Sequence, residues 1–261
     1  MAERRGPTQI VNFPRITGGF REIPAADGDP DFDKVIFLAG FNGIDEATSF
    51  TEESSNAAVA TFNGSAQLDT DQKQFGTTSA RFDETTSDSI TFPDLAAYDL
   101  GSGDFTIEMF LRFAILPFSN NKMDWIGQWD NSGPAEKSWS MQLLFNFGSP
   151  LFRWLHSTNG TTTLVYSVAW TPVIDTWYHV AFTRDGDSVR FFVDGVQQGS
   201  TGTLSSITLN ASDETLLLGG LNNGGALINN LDGWLDEVRI TKGLARYTSN
   251  FTAPTEEFPR A

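Results

Sequence analysis

From Lys34 onward, hydrophobic and polar residues alternate in short runs rather than in helical turns. Residues 105–113 place Phe105, Ile107, Met109, Leu111 and Phe113 on one side and Thr106, Glu108, Phe110 and Arg112 on the other. That period of two is the signature of a half-buried strand. Residues 139–147 repeat it with Trp139, Met141, Leu143, Phe145 and Phe147. Two more strands, 177–184 and 188–193, are joined through Asp185-Gly186, and the second closes at Asp194-Gly195. Asp-Gly between β-rich runs marks a hairpin. Further strands are predicted at 35–41, 79–83, 88–92, 163–169, 215–219 and 234–240. No amphipathic helical period of ten or more residues is found. The expected class is all-β, with two packed antiparallel sheets.

The first 32 residues have no sustained apolar period and are punctuated by Pro7, Pro14, Gly18, Gly19, Pro24, Gly28 and Pro30. They read as an extended N-terminal arm, residues 1–32, ahead of a domain over 33–261. Through Pro24, Arg4, Arg5, Arg15 and Arg21 outweigh Glu3 and Glu22 and give the arm's first part a basic balance, within a chain whose formal net charge is −16. These arginines are expected to meet acidic or carbonyl-rich surfaces on a partner. The acidic body repels phosphate backbones, which argues against nucleic acid as its partner. The absence of cysteine excludes disulfides and thiol chemistry, and two histidines are too few for a histidine-clustered zinc site. No run approaches the roughly 20 apolar residues of a membrane-spanning helix. The start, Met1-Ala-Glu-Arg-Arg-Gly-Pro, leads into no apolar h-region, so synthesis in a cytoplasm without a signal peptide is expected. Aromatic residues make up 13%, enough for a large core.

Several segments, in order, resemble the laminin-G-like domains of the concanavalin A-like lectin and glucanase superfamily, in the version found in bacteriophage structural proteins. Val35-Ile-Phe-Leu-Ala-Gly-Phe-Asn-Gly43 is similar to the family's opening strand, and Gln74-Phe-Gly-Thr-Thr-Ser-Ala-Arg-Phe-Asp83 to its FG-x-x-S-A-x-F-D segment. Gly101-Ser-Gly-Asp-Phe-Thr-Ile-Glu108, Trp177-Tyr-His-Val-Ala181 and Phe192-Val-Asp-Gly195 follow the same pattern. The most specific piece is Leu235-Asp-Glu-Val-Arg-Ile-Thr-Lys-Gly-Leu-Ala-Arg-Tyr247 with Asn250-Phe-Thr-Ala-Pro254. The resemblance implies one jelly-roll sandwich of two curved sheets and membership of a virion. Fold alone does not fix function, so the sites need their own argument.

Asp236 is the sharpest local anomaly. In 234–240 it falls, by strict alternation, on the face of Trp234, Val238 and Ile240. An inward carboxylate needs a cation or several donors. Ca²⁺ held by carboxylate and carbonyl oxygens would satisfy it, and so would backbone N–H groups at a sheet corner. The resemblance implies a structural calcium with Asn42 and the backbone near Gly76 as partners, Asn42 standing where the family pattern has Asp. Asp27-Gly-Asp-Pro-Asp-Phe-Asp33 imitates an EF-hand loop, but Phe32 and Leu38 occupy the positions that need Gly and Glu, so it reads as a solvated linker. Trp125, Trp129 and Trp154, the last near His156, are candidate sugar-stacking faces, with Trp129 and Trp154 the favoured ligand contacts. Segments 157–160 and 222–225 could supply polar rims. The alternative is that these tryptophans fill the space between two sheets.

Retaining glycosidases on this fold need two carboxylates close together on one strand, commonly E-x-D-x-x-E. Glu108 stands alone on its strand, and Asp236 and Glu237 are adjacent. No catalytic residues are assigned and no enzyme is expected. Three functions remain: a virion structural protein, held by its arm to the major capsid protein or the tail in multiple copies; a glycan-binding adhesin of the tail; and, third, a glucan hydrolase. Capsid decoration is slightly favoured, because no coiled-coil or β-helical fibre repeat is seen.

Overall fold

The structure, a computed structural model, describes residues 28–133 and 135–260. Arg4, Arg5, Arg15 and Arg21 lie outside the described residues. In chain order the strands are β1 (Val35–Ala39), β2 (Thr61–Asn63), β3 (Gln67–Asp69), β4 (Ser79–Phe82), β5 (Ser89–Phe92), β6 (Phe105–Phe113), β7 (Lys122–Trp129), β8 (Lys137–Asn146) and β9 (Ser149–Gly160). They continue as β10 (Leu164–Ala169), β11 (Trp177–Asp185), β12 (Ser188–Val193), β13 (Val196–Thr203), β14 (Leu216–Leu218), β15 (Leu221–Asn223), β16 (Ala226–Ile228) and β17 (Gly233–Lys242). One sheet runs β13-β12-β11-β6-β17-β4-β3, with β1 also paired to β17. The other runs β10-β9-β8-β7-β14-β5-β2, and β15-β16 form a separate hairpin. All the strand ladders are antiparallel, giving the all-β sandwich expected.

The core lies between the two faces. The five inward residues of β6 meet Trp125, Trp139, Met141, Phe152 and Trp154 from the second sheet, all fully buried. Phe105 lies 5.6 Å from Trp154 and Phe113 lies 6.1 Å from Trp125, ring centre to ring centre. Burying rings of this size is the main source of stability in such a sandwich.

β17 departs from the expected alternation. Its pairing with β6 runs Leu235↔Leu111 and Asp236↔Phe110, then resumes at Arg239↔Glu108, so two residues of β17 oppose one of β6. This bulge is centred on Glu237, whose φ is 49°. An inserted residue inverts the parity beyond it. Leu235, Val238 and Ile240 therefore face the core, while Trp234, Asp236 and Arg239 pair across to the outward residues Arg112, Phe110 and Glu108. Asp236 is buried, but on the outer face of the first sheet and not in the core as strict alternation implied.

A C-terminal segment covers that outer face. Phe251 and Tyr247 stack on each other and pack edge-on against His179, and Phe258 packs against Phe110. Asp29 joins the same layer through Arg239 and Arg246. The acidic segment before β1 is thus not wholly a solvated linker: Asp29 is buried and doubly ion-paired.

Candidate functional site

Glu108 sits on the outward side of β6 beneath the C-terminal segment and is completely buried. One carboxylate oxygen accepts from Arg239 Nε at 3.0 Å and Nη2 at 2.8 Å. The other accepts from Tyr247 Oη at 2.8 Å and lies 3.1 Å from His179 Nε2. Burial pushes this carboxyl up, but the charge of Arg239 and the bonds from His179 and Tyr247 outweigh it and hold it at about 2. A carboxylate so engaged has no free lone pair directed at solvent, and the nearby Asp29 carboxylate, which shares Arg239 with it, is itself buried and paired to Arg246. Glu237 is likewise closed off, accepting from Phe258 N–H and from both terminal nitrogens of Arg260. Neither has the paired, open arrangement that glycoside cleavage uses.

The expected cation corner has a different emphasis. Asp236 Oδ2 accepts backbone N–H bonds from Gln74 at 2.9 Å and Phe75 at 3.0 Å, the corner arrangement that was the alternative to a metal. Its Oδ1 is buried and has no hydrogen-bond partner among the described residues. Burial, reinforced by the neighbouring Glu237 charge, pushes the Asp236 carboxyl up to about 7 despite those two donors. Asn42 Oδ1 accepts from Thr77 N–H at 2.7 Å, and Asn42 Nδ2 donates to Glu257 Oε1 at 3.3 Å. Gly76 between them has φ +58°, and a Cβ there would lie 1.9 Å from Asn42 Oδ1, so the backbone approach demands glycine. Among the described residues no three His, Asp or Glu side chains are grouped to hold a metal. A cation would therefore rest on Asp236 Oδ1 with amide and backbone oxygens, a set of hard donors that fits Ca²⁺ in kind.

The tryptophan candidates are placed otherwise than expected. Trp154 is a core residue, stacked on Trp139 at 5.4 Å and on Phe182 at 4.3 Å, so neither face can meet a ligand. Trp125 is in the same core. Trp129 is also buried: it packs with Leu155, Leu221 and Ile228 outside the second sheet, and Lys137 lies over its ring. The β15-β16 hairpin that covers it includes Asn222 and Asn223, while 157–160 belong to β9 instead of a loop. Both ring nitrogens of His156 are buried without partners among the described residues, and burial beside Arg184 lowers its pKa to about 4. Trp177 and Trp234 are half-buried; Trp234 has Nε1 bonded to Asp69 Oδ2 at 2.6 Å and Arg112 over its ring, and the alternation pattern placed it on the core face.

Asp124 was missed altogether. It is completely buried on β7, where Ser140 Oγ, Gln142 Nε2 and Asn229 Nδ2 all donate to its carboxylate. A register shift between Asp124 and Ile126 breaks the alternation that would have revealed the strand.

A family model described as the concanavalin A-like lectin/glucanases superfamily, of the laminin-G type, matches residues 83–245, more than half of the chain. This chain belongs to that superfamily. No curated protein matches its sequence. Solved structures share the lectin-like fold at low identity. Domain 4 of AbnA, a GH43 extracellular arabinanase from Geobacillus stearothermophilus, in complex with arabinotriose, superposes with TM-score 0.58 at 16% identity over 81% of this chain and 94% of that domain. The binding domain of Paraclostridial Mosquitocidal Protein 1 gives 0.57 at 15% identity over 81% of this chain and 49% of its own. The receptor binding domain of botulinum neurotoxin D gives 0.60 at 13% over 82% and 50%. The lectin-like chain thus spans about half the length of the toxin domains it matches and nearly all of the arabinanase domain.

Proposed function

We propose that the chain is a non-enzymatic, lectin-like binding domain displayed in multiple copies on a bacteriophage virion, anchored by its N-terminal arm and directed at glycans. The observation that carries the binding reading is the state of the carboxylates. Glu108 and Glu237, the acids nearest to a glycosidase pattern, are buried and consumed by arginines. The similar arabinanase domain was solved with arabinotriose, which supports a glycan as ligand. The virion placement rests on the phage-type segments, Gln74–Asp83 and Leu235–Tyr247 above all, and on an arm of mixed charge, with its arginines before Pro24, ahead of an acidic body. A short arm gains affinity by strand addition or groove binding, and repetition over a symmetric shell adds avidity. Capsid decoration is the first placement and a tail adhesin the second. A structural Ca²⁺ on Asp236 Oδ1, Asn42 and the carbonyl of Gly76 belongs to the same proposal. The test is immunogold electron microscopy of purified particles with antibody raised against residues 28–261. Regular labelling of heads supports capsid decoration, tail labelling moves the chain to the adhesin, and unlabelled particles overturn the virion placement.

A further inference from the structure

Between the loop 115–121, which joins β6 to β7, and residues 227–230, which lead from β16 into β17, lies an open cleft of about 470 Å³ at one end of the sandwich. Its walls are fixed on both sides. Asn120 N–H donates to the Phe145 carbonyl at 2.8 Å, and Phe145 N–H donates back to the Asn121 carbonyl at 3.0 Å. On the opposite wall, Asp124 N–H donates to the Asn229 carbonyl at 2.9 Å while Asn229 Nδ2 donates to the buried Asp124 carboxylate at 2.8 Å. A fully buried carboxylate thus orients an amide at the edge of the cleft. Next to it, Asn230 Nδ2 donates to the Glu84 carbonyl at 3.0 Å, and Asn230 Oδ1 is buried with no partner among the described residues. Ser119, Asn120 and Asn229 hold left-handed backbones, with φ of 51°, 68° and 52°. Non-glycine residues are held there only where surrounding contacts fix them.

The lining has a definite chemistry. Asn120, Asn121, Asn229 and Asn230 bring four side-chain amides to one cleft; Asn120 and Asn121 are exposed, while Asn229 and Asn230 each already commit an Nδ2 bond to the protein. Glu84 and Lys122 line it with one charge of each sign, so no net charge selects an ion. Phe118 stands at the cleft with 70% of its surface exposed, a ring with no packing role in the core. A flat apolar ring beside convergent amides suits a ligand with an apolar C–H face and a rim of hydroxyl or acetamido groups. The net charge of −16 disfavours acidic saccharides.

We propose that this cleft binds a neutral oligosaccharide, with Phe118 against a sugar face and the asparagine amides on its hydroxyl or acetamido groups. The proposal rests on the glycan-binding reading and is independent of where the domain is displayed. The test uses the full chain on an array of immobilised neutral and acidic oligosaccharides, with Phe118→Ala and Asn120→Gly as variants. Phe118 is exposed, and glycine keeps the left-handed backbone at Asn120, so both variants are expected to melt at the wild-type temperature. The expected result is binding to neutral oligosaccharides that each variant weakens about tenfold, the size of one lost stacking or hydrogen-bonding contact. Binding unchanged by both variants, or lost on Trp234→Ala instead, overturns the cleft and leaves the glycan reading standing. A blank array overturns both.

Discussion

Glu108→Gln removes the charge at the centre of the layer beneath the C-terminal segment. The wild-type carboxylate receives two bonds from Arg239 and one from Tyr247, and His179 stands beside it. A glutamine keeps the shape but offers one acceptor oxygen and turns an NH₂ group toward donors. Breaking a buried pair from one side costs about 3–5 kcal/mol. Arg239 keeps Asp29 at 3.3 Å and its place over the Phe258 ring at 3.9 Å, which puts the loss at the lower end, about 3 kcal/mol. Protonation gives an independent measure. A carboxyl held at about 2 against an ordinary 4.5 stabilises the folded state wherever it is ionised in both states. The contribution is fully present above pH 4.5 and is lost as pH falls toward 2, and it too amounts to about 3 kcal/mol. In a chain of this size each kcal/mol moves Tm by about 2–4 °C. Calorimetry near pH 7 should therefore show the variant melting roughly 6–12 °C lower, and the gap should close as pH falls from 4.5 toward 2. A shift under about 2 °C, or a gap that persists at low pH, would refute the reasoning.

Three further outcomes follow. If Ca²⁺ occupies the Asp236 corner, EDTA lowers Tm and Asp236→Asn abolishes that sensitivity; an EDTA-insensitive Tm with no metal co-purifying removes the ion, since a ligand stabilises only what it binds when folded. Trp154→Ala should cost about 3–5 kcal/mol in urea unfolding, because the ring is stacked on both faces, and its survival at wild-type stability would contradict a core role. Asp29→Asn, which weakens the pairs to Arg239 and Arg246, should destabilise by about 1–3 kcal/mol, and an unchanged Tm would show that residues before β1 do not contribute to the domain.

The fold was legible where alternation was regular. β6, β11 and β12 appear within a residue of their expected spans, because their inward sets are unbroken and Asp-Gly turns bound the hairpin. The short strands β2, β3, β15 and β16, the edge strand β13, and the long strands β7 and β9 were not predicted, and for the last two the reasons differ. β7 carries a register shift beside Asp124 that disrupts its period, while β9 runs on through Ser157-Thr-Asn-Gly160, a sequence with turn chemistry held in strand by its pairing with β8. The single bulge at Glu237 sent Asp236 and Trp234 to the wrong face. Sites were less legible than strands. Tryptophan marks cores and sugar platforms alike, and only tertiary packing separates Trp154 from an exposed ring. The asparagines of the end cleft are far apart in sequence, 120–121 and 229–230, and read locally as turn residues.

The central claim, a binding domain held on a particle by its arm, is tested most directly by co-sedimentation with separated phage heads and tails. The comparison is between the full chain and one lacking residues 1–27, a cut that keeps the Asp29 ion pairs and hence the domain. Binding to one fraction only, lost on truncation, is the predicted result and names the attachment point. Binding to neither fraction, or binding that the truncated chain retains in full, would contradict it.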